Sequence, residues 1–137
     1  MRALLLILFL LTAQAAGAEG LLVIASPNVP VDSISREELA AIYLAQKMAW
    51  PGGLPVVPVN REAASPVREH FSEVVFERSP RELADYWNRL RFQGKLPPLV
   101  QTSDQAMLGF VRSVPGAVGY VEAGQATAGV KILKKLP

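Results

Sequence analysis

The chain is 137 residues long, half of its residues are apolar, and its formal net charge is only +2. A chain of this size and apolar content can bury a core within one domain. The near balance of charges argues against nucleic acid or an anionic membrane as the main partner. The sequence contains no cysteine, which excludes a disulfide framework and lipid attachment at a cysteine. The fold must therefore rest on packing alone.

Residues 1–18 have the pattern of a secretory signal peptide. Arg2 gives a charged start, an apolar run follows at residues 3–11, and small residues lead to Ala18, after which we expect cleavage. The alternative is a membrane anchor, but the run is about half of the ~20 residues that a spanning helix needs. The sequence predicts a periplasmic or secreted protein that is not inserted in the membrane, with residues 19–137 forming a single domain.

The domain begins with a buried strand and a capped helix. Residues 21–25 are continuously apolar, which is typical of a strand covered on both faces. Ser35 and Glu38 have the spacing of a capping box, so a helix is predicted to start there. After a turn, residues 55–60 read as an extended segment. Their two prolines would each remove a backbone donor, which predicts an edge or partly irregular strand.

Three further helices are predicted, with start signals at Ser65, at Ser79 and at residues 102–105. Behind the second and third starts, apolar residues recur at i, i+3, i+4 and i+7, which predicts a stripe that faces the core, and the first helix carries Val67, Phe71, Val74 and Val75. In the second of these helices the stripe includes Tyr86 and Trp87, so core packing is favoured over stacking on a ligand.

Two strands are predicted after the helices, at residues 117–121 and 130–133. Strands and helices in this order favour a three-layer α/β domain, in which a mixed sheet is flanked by helices. Lysines at positions 131, 134 and 135 are typical of a last strand that is protected against edge pairing.

Four segments carry a family resemblance beyond this pattern: residues 33–44, Trp50, residues 59–61 and residues 114–122. The last is the most specific, because its run Pro-Gly-Ala-Val-Gly-Tyr-Val-Glu combines a helix stop, a strand and an exit residue. Together they resemble one lobe of the periplasmic phosphate-binding proteins of ABC transporters. The resemblance implies a single lobe of a type 2 periplasmic-binding-protein fold, and it implies that Trp50 plugs this lobe.

The candidate ligand residues lie between the predicted strand and the helix that starts at Ser65. A serine N-cap followed by proline at the first helical position directs free backbone N–H groups toward an anion. In the family this junction typically reads Arg-x-Asp-x-Ser-Gly-Thr, and Arg61 and Ser65 match its arginine and serine. The resemblance therefore implies that both bind a phosphate-like anion, and Arg68 is near enough along the helix to reach the same anion.

The junction also departs from the family at three positions. Ala63 stands at the aspartate position, Pro66 at the glycine and Val67 at the threonine. These changes remove a proton acceptor, a backbone donor and a hydroxyl, and the acceptor is the group that would distinguish protonated phosphate from sulfate. The resemblance supports the fold more firmly than the ligand.

Each candidate residue also has a purely structural interpretation. Arg61 can pair with Glu62, Glu69 or another surface carboxylate, Ser65 can serve only as a helix cap, and Arg68 can lie on a solvated face. His70 is the single histidine and has no partner at ligand spacing, so we expect no metal and no cofactor. The sequence has no nucleophile elbow and no phosphate loop with lysine, so we expect no enzymatic activity.

Two functions remain open. The first is an exported domain that binds phosphate or another small anion, weakly or with a partner. One arginine and one helix end together approach only the ~4 kcal/mol of millimolar affinity, so tight binding would need a second surface. That surface would come from a homodimer or another envelope protein. The second function is an interaction or sensing module of the envelope that retains the lobe without a ligand.

Overall fold

The computed structural model describes residues 20–137, so the predicted signal peptide at residues 1–18 lies outside the described residues. Strands and helices follow one another as β1 (Leu21–Ala25), α1 (Arg36–Tyr43), β2 (Val57–Arg61), α2 (Pro66–Phe76), α3 (Ala84–Arg91), β3 (Leu99–Gln101), α4 (Asp104–Ser113), β4 (Ala117–Glu122) and β5 (Lys131–Leu136). The five strands form one sheet in the order β3-β2-β4-β1-β5. Strand β2 runs parallel to β3 and β4, whereas β1 runs antiparallel to β4 and β5, so the sheet is mixed as predicted.

The central strand β1 is buried on both faces, as its apolar run predicts. Leu21, Val23 and Ala25 pack into a cluster formed mainly with α1 and α2. Leu22 and Ile24 pack into a second cluster with α4, on the other side of the sheet. This alternation follows from the two-residue repeat of a strand. The three-layer α/β architecture is therefore confirmed.

Of the two alternatives predicted for residues 55–60, an edge strand or a partly irregular strand, the edge position is wrong, while Pro55 lies outside the regular strand in an isolated bridge with Ala49. The strand occupies Val57–Arg61 and lies between β3 and β4, inside the sheet. The register explains how an interior strand tolerates Pro58. Strand β3 pairs only with residues 59–61, so no β3 residue stands opposite Pro58, which pairs with Val118 of β4.

Strand β3 was not expected from the sequence. It has only three residues, and Leu99 and Val100 are each about half exposed. Neither apolar alternation nor a long apolar run marks so short a strand. Strand β3 pairs in parallel with β2, so its last residue, Gln101, lies opposite Arg61. The chain that follows β3 therefore starts beside the end of β2.

Helix α3 begins later than its sequence predicts and packs less deeply. The Glu82 N–H does bond to Ser79 Oγ at 3.2 Å, but the chain makes turn bonds at this point, and the helix starts at Ala84. Tyr86 and Trp87 are only partly buried and belong to neither apolar cluster. The expected core packing of these two rings is therefore wrong.

The last strand, at Lys131–Leu136, extends three residues beyond its predicted end at residue 133.

Glycine at position 119 allows α4 to lie against β4. A Cβ at Gly119 would lie 2.5 Å from the Met107 sulfur and 3.2 Å from Val111 Cγ2. Both neighbours are fully buried, so they have little room to move. The close contact between α4 and β4 therefore depends on a glycine at this position.

We expect Gly119→Ala to lower the free energy of unfolding by about 1 to 3 kcal/mol, because the added methyl group overpacks the α4–β4 contact. Gly109→Ala is the matched control, since Gly109 lies within α4 and a Cβ there meets nothing within 4 Å. The control should gain up to about 1 kcal/mol from helix propensity. Urea denaturation measures both changes, and equal stability of the two variants would contradict the packing argument.

Candidate functional site

The junction between β2 and α2 has the local geometry that the sequence predicts. Arg61 is the last residue of β2, Ser65 is the N-cap of α2, and Pro66 occupies the first helical position. Ser65 Oγ accepts a hydrogen bond from the Val67 N–H at 3.2 Å, and the residue is buried. The serine thus satisfies one of the N–H groups that a helix start leaves free.

The Arg61 side chain is only 10% exposed and all three of its nitrogens are engaged. Nη1 donates to Asp104 Oδ1 at 2.8 Å. Nε and Nη2 donate to the two carboxylate oxygens of Glu62, at 3.1 and 3.3 Å, in a two-point fork. Nη2 also lies 3.4 Å from the Thr102 carbonyl oxygen. The arginine that was predicted as an anion ligand therefore already holds two carboxylates.

Asp104 reaches Arg61 because β2 and β3 are parallel neighbours. Asp104 is the first residue of α4, directly after β3, and Ser103 caps this helix by accepting a bond from the Ala106 N–H at 3.0 Å. Parallel strands end at the same edge of a sheet, so the helix starts that follow them converge. Sequence reasoning missed Asp104 as a partner of Arg61. The capping signal at residues 102–105 placed a helix start here, but β3 leaves no pattern that would show this start to lie beside β2.

Arg68 lies one turn into α2 and points back toward the same junction. Its Nη1 donates to the backbone oxygen of Arg61 at 3.0 Å, and the residue is partly buried. The junction therefore contains the two predicted cations, Arg61 and Arg68, together with two carboxylates, Glu62 and Asp104. The formal charge of these four side chains is zero. The hydrogen bonds from Arg61 lower the pKa of the Glu62 carboxyl, and the charge of Arg68 lowers it further.

Buried hydrogen bonds with Tyr120 of β4 hold the end of β2 in place. The Tyr120 hydroxyl donates to Asn60 Oδ1 and accepts from the Arg61 N–H at 3.2 Å. The Tyr120 ring stacks on Phe71 of α2, with centroids 3.8 Å apart. Burial raises the pKa of the Tyr120 hydroxyl, which therefore stays protonated and can act as a donor. Asn60 and Tyr120 were expected only as strand residues, because nothing in the sequence indicates that they meet.

The other residues that the sequence singled out lie away from this junction. Trp50 is buried, and its indole N–H donates to the Gly116 carbonyl at 2.9 Å, so it fills the lobe as the resemblance implied. His70 Nε2 lies 2.6 Å from the backbone oxygen of Pro137. Within residues 20–137, no group of three or more histidine, aspartate or glutamate side chains could hold a metal ion. The same part of the chain contains no helix with the length and apolarity of a membrane span.

Solved structures with the same fold are phosphate-binding components of ABC transporters. One is an ABC-type phosphate transport receptor from Vibrio cholerae, at a TM-score of 0.66 and 24% identity. Another is a putative phosphate ABC transporter substrate-binding protein from Clostridium perfringens with bound phosphate, at 0.69 and 22%. A third is PstS from Borrelia burgdorferi, at 0.67 and 18%. No protein-family model matches the chain.

These similarities cover most of this chain but less than half of each neighbour. They extend over 84% of this chain and over 45%, 44% and 46% of the three solved proteins, respectively. The described residues therefore have the fold of a single lobe of a PstS-like phosphate-binding protein. At these sequence identities the similarity establishes the fold but not the ligand, which has to be inferred from the geometry of the junction.

We expect Asp104→Asn to lower the free energy of unfolding by about 3 kcal/mol, because it leaves the buried Arg61 guanidinium with one carboxylate instead of two. The matched control is Asp32→Asn, which removes the partner of Lys131 at 3.1 Å, where the aspartate side chain is 96% exposed. An exposed pair of this kind contributes at most about 1 kcal/mol. Thermal and urea unfolding compare the two variants, and equal losses would refute a structural role for the Arg61–Asp104 pair.

Proposed function

We propose that this protein is an exported, non-enzymatic binding domain that takes up a small phosphate-like anion at the β2–α2 junction, with Arg61, Ser65 and Arg68 as its binding residues. The observation that carries the proposal is the two-point fork between Arg61 and Glu62. The outer face of this guanidinium already accommodates the paired oxygens of an oxyanion, and bidentate pairing is the geometry by which arginine recognises both carboxylate and phosphate.

In this proposal the anion replaces Glu62 and leaves Asp104 in position. The Glu62 side chain is 37% exposed, whereas that of Asp104 is 13% exposed, so Glu62 is the partner that can turn outward to water. Asp104 would continue to orient Arg61 through Nη1, while Nε and Nη2 bind the incoming oxygens. Arg68 adds a second positive charge beside them, and Ser65 keeps the start of α2 aligned.

Competition with Glu62 limits the affinity of an isolated lobe. A charge-assisted hydrogen bond contributes about 1.5 to 3 kcal/mol, but two of them must first be taken from an existing carboxylate. The net gain is below the ~4 kcal/mol that corresponds to millimolar affinity. We therefore propose that a second surface, from a homodimer or another envelope protein, completes the site. Solved proteins with this fold support the arrangement, because this chain aligns with less than half of their length.

We expect Glu62→Gln to strengthen anion binding by about tenfold, because a neutral amide holds the Arg61 fork less tightly than a carboxylate does. Isothermal titration calorimetry with phosphate, sulfate and acetate measures the change. Adding Arg61→Lys to the Glu62→Gln protein should abolish the heat, since lysine retains the charge but loses the fork. Arg68→Gln should weaken binding more moderately.

Arg81→Gln is the matched control for these variants, because it removes an exposed arginine at the start of the α3 region without touching the junction. It should leave the heat of binding unchanged. If the Glu62→Gln protein gives no heat at millimolar phosphate, sulfate or acetate, the isolated domain is not an anion-binding protein. Size-exclusion chromatography with light scattering then determines whether the protein pairs under the same conditions.

A second candidate function is an envelope interaction or sensing module that retains the lobe without a ligand. Complete neutralisation of Arg61 by Glu62 and Asp104 favours it, because a guanidinium with every nitrogen bonded needs no external anion. The calorimetric experiment separates the two candidates. Absence of a heat of binding for every variant supports the interaction module, whereas a heat of binding that depends on Arg61 supports the anion-binding domain.

Export is proposed from the pattern of residues 1–18. We expect the protein recovered from outside the cytoplasm to begin at Glu19, since small residues at positions 16 and 18 suit a signal peptidase. Cell fractionation followed by intact-mass measurement tests this. Recovery of a protein that retains residue 1 and sediments with membranes would indicate an anchor instead.

A further inference from the structure

A second surface lies at the opposite end of the β2–β3 pair from Arg61. Here the starts of the two strands border an apolar cavity of about 180 Å³, whose walls include Met48, Trp87, Leu96 and Leu99. The lining contains one charged residue, Lys47, and no carboxylate. We call this cavity, together with residues 89–101 beside it, the β3 surface.

Exposed apolar side chains extend the cavity outward. Leu96 is 78% exposed, Leu99 54% and Val100 49%, and Phe92 at the end of α3 is 94% exposed. Single exposed apolar residues are ordinary, but several along one short segment beside an apolar cavity mark an interaction site. The partial exposure of Trp87 belongs to the same feature, because its ring forms a wall of the cavity instead of packing in the core.

The backbone of β3 also has a free side. Among residues 20–137, β3 pairs only with β2 and forms one end of the sheet. The other edge of a terminal strand presents N–H and C=O groups that an extended segment can bond to. At the opposite end of the sheet, β5 carries lysines 131, 134 and 135, whereas the three residues of β3 carry no charge.

The cations around this surface determine which partner fits. Arg91 lies four residues after Trp87 on α3 and therefore on the helix face that borders the cavity, whereas Arg89 lies on the opposite face. Arg91 and Lys95 form no ion pair within the described part of the chain. A symmetric second copy would bring the same cations face to face, which is unfavourable. A segment that carries carboxylates would pair with them instead.

We propose that the β3 surface docks an extended segment of a partner protein in which apolar residues alternate with aspartate or glutamate. The segment adds to the free edge of β3, inserts an apolar side chain into the cavity and pairs its carboxylates with Arg91 and Lys95. A small apolar ligand would account for the cavity but not for the edge or the cations. A membrane surface would account for the cations and Phe92 but cannot enter a concave cavity. This docking does not depend on anion binding at Arg61, and it supplies the partner chemistry that an interaction module requires.

Selection from a random linear peptide library displayed on phage tests the proposal, with the purified wild-type protein as bait. Enriched peptides are synthesised with a fluorophore, and their dissociation constants are measured by fluorescence anisotropy. We expect enrichment of apolar residues alternating with aspartate or glutamate. Leu96→Asp should weaken the binding of such peptides by about tenfold or more, and Arg91→Glu should weaken it to a similar degree.

Two control variants match these changes at the other end of the sheet. Ile132 is 41% exposed on β5, and Lys135 is exposed on the same strand, so Ile132→Asp and Lys135→Glu repeat the chemistry away from the β3 surface. Both should bind the peptides as the wild type does. Because Leu96 and Arg91 are exposed, their variants are expected to fold, and circular dichroism verifies this.

Four results would overturn the proposal. They are enrichment of peptides without acidic residues, binding that Leu96→Asp leaves intact, and co-sedimentation with phosphatidylglycerol vesicles that Arg91→Glu abolishes. The fourth is a dimer in light scattering that Leu96→Asp dissociates. Failure of anion binding in calorimetry would leave the peptide result unaffected, so the two functions are tested separately.

Discussion

The buried charge of Arg61 is the constraint around which the β2–α2 junction and its neighbours are arranged. A guanidinium that is 10% exposed cannot remain unpaired, because the cost of removing a charge from water amounts to several kcal/mol. Asp104 provides the pairing from α4, which can reach Arg61 only if β3 lies beside β2 in parallel register. The position of the short, exposed strand β3 and the start of α4 are thus both linked to one arginine side chain.

The same pairing determines what the junction can bind. An arginine held by an aspartate alone would offer a free fork to any oxyanion, whereas the second carboxylate, Glu62, closes that fork from the neighbouring residue. Solvation by water favours opening of the Arg61–Glu62 fork, since Glu62 is the more exposed of the two carboxylates. The lowered pKa of the Glu62 carboxyl opposes this opening, because it reflects the hydrogen bonds by which Arg61 stabilises the ionised carboxylate. In the proposed function, anion affinity would therefore be a difference between two similar interactions.

Local signals in the sequence predicted the parts of this molecule that depend on neighbours in the chain. The caps at Ser35, Ser65 and the start of α4, and the two-faced burial of β1, follow from patterns a few residues long. What the sequence did not reveal depends on distant pairings. Asp104 meets Arg61 across 43 positions, through a strand too short to leave a pattern. Tyr120 meets Asn60 across 60 positions, through a pairing of β2 with β4 that neither strand's own sequence indicates. The anion-ligand roles of Arg61, Ser65 and Arg68 remain predictions.

Parallel pairing of β2 and β3 separates two kinds of chemistry at the two ends of one short pair of strands. At the carboxyl ends, charges meet and neutralise one another, while at the amino ends apolar side chains border a cavity. The five residues of β2 span only about 13 to 17 Å, so the two ends are near but not in contact. A segment bound along β3 would restrain the strand that places Asp104 beside Arg61. Ordering of this strand would hold Arg61 in the orientation that presents its fork to Glu62 or to an anion, so a partner at one end would affect a proposed ligand at the other through β3.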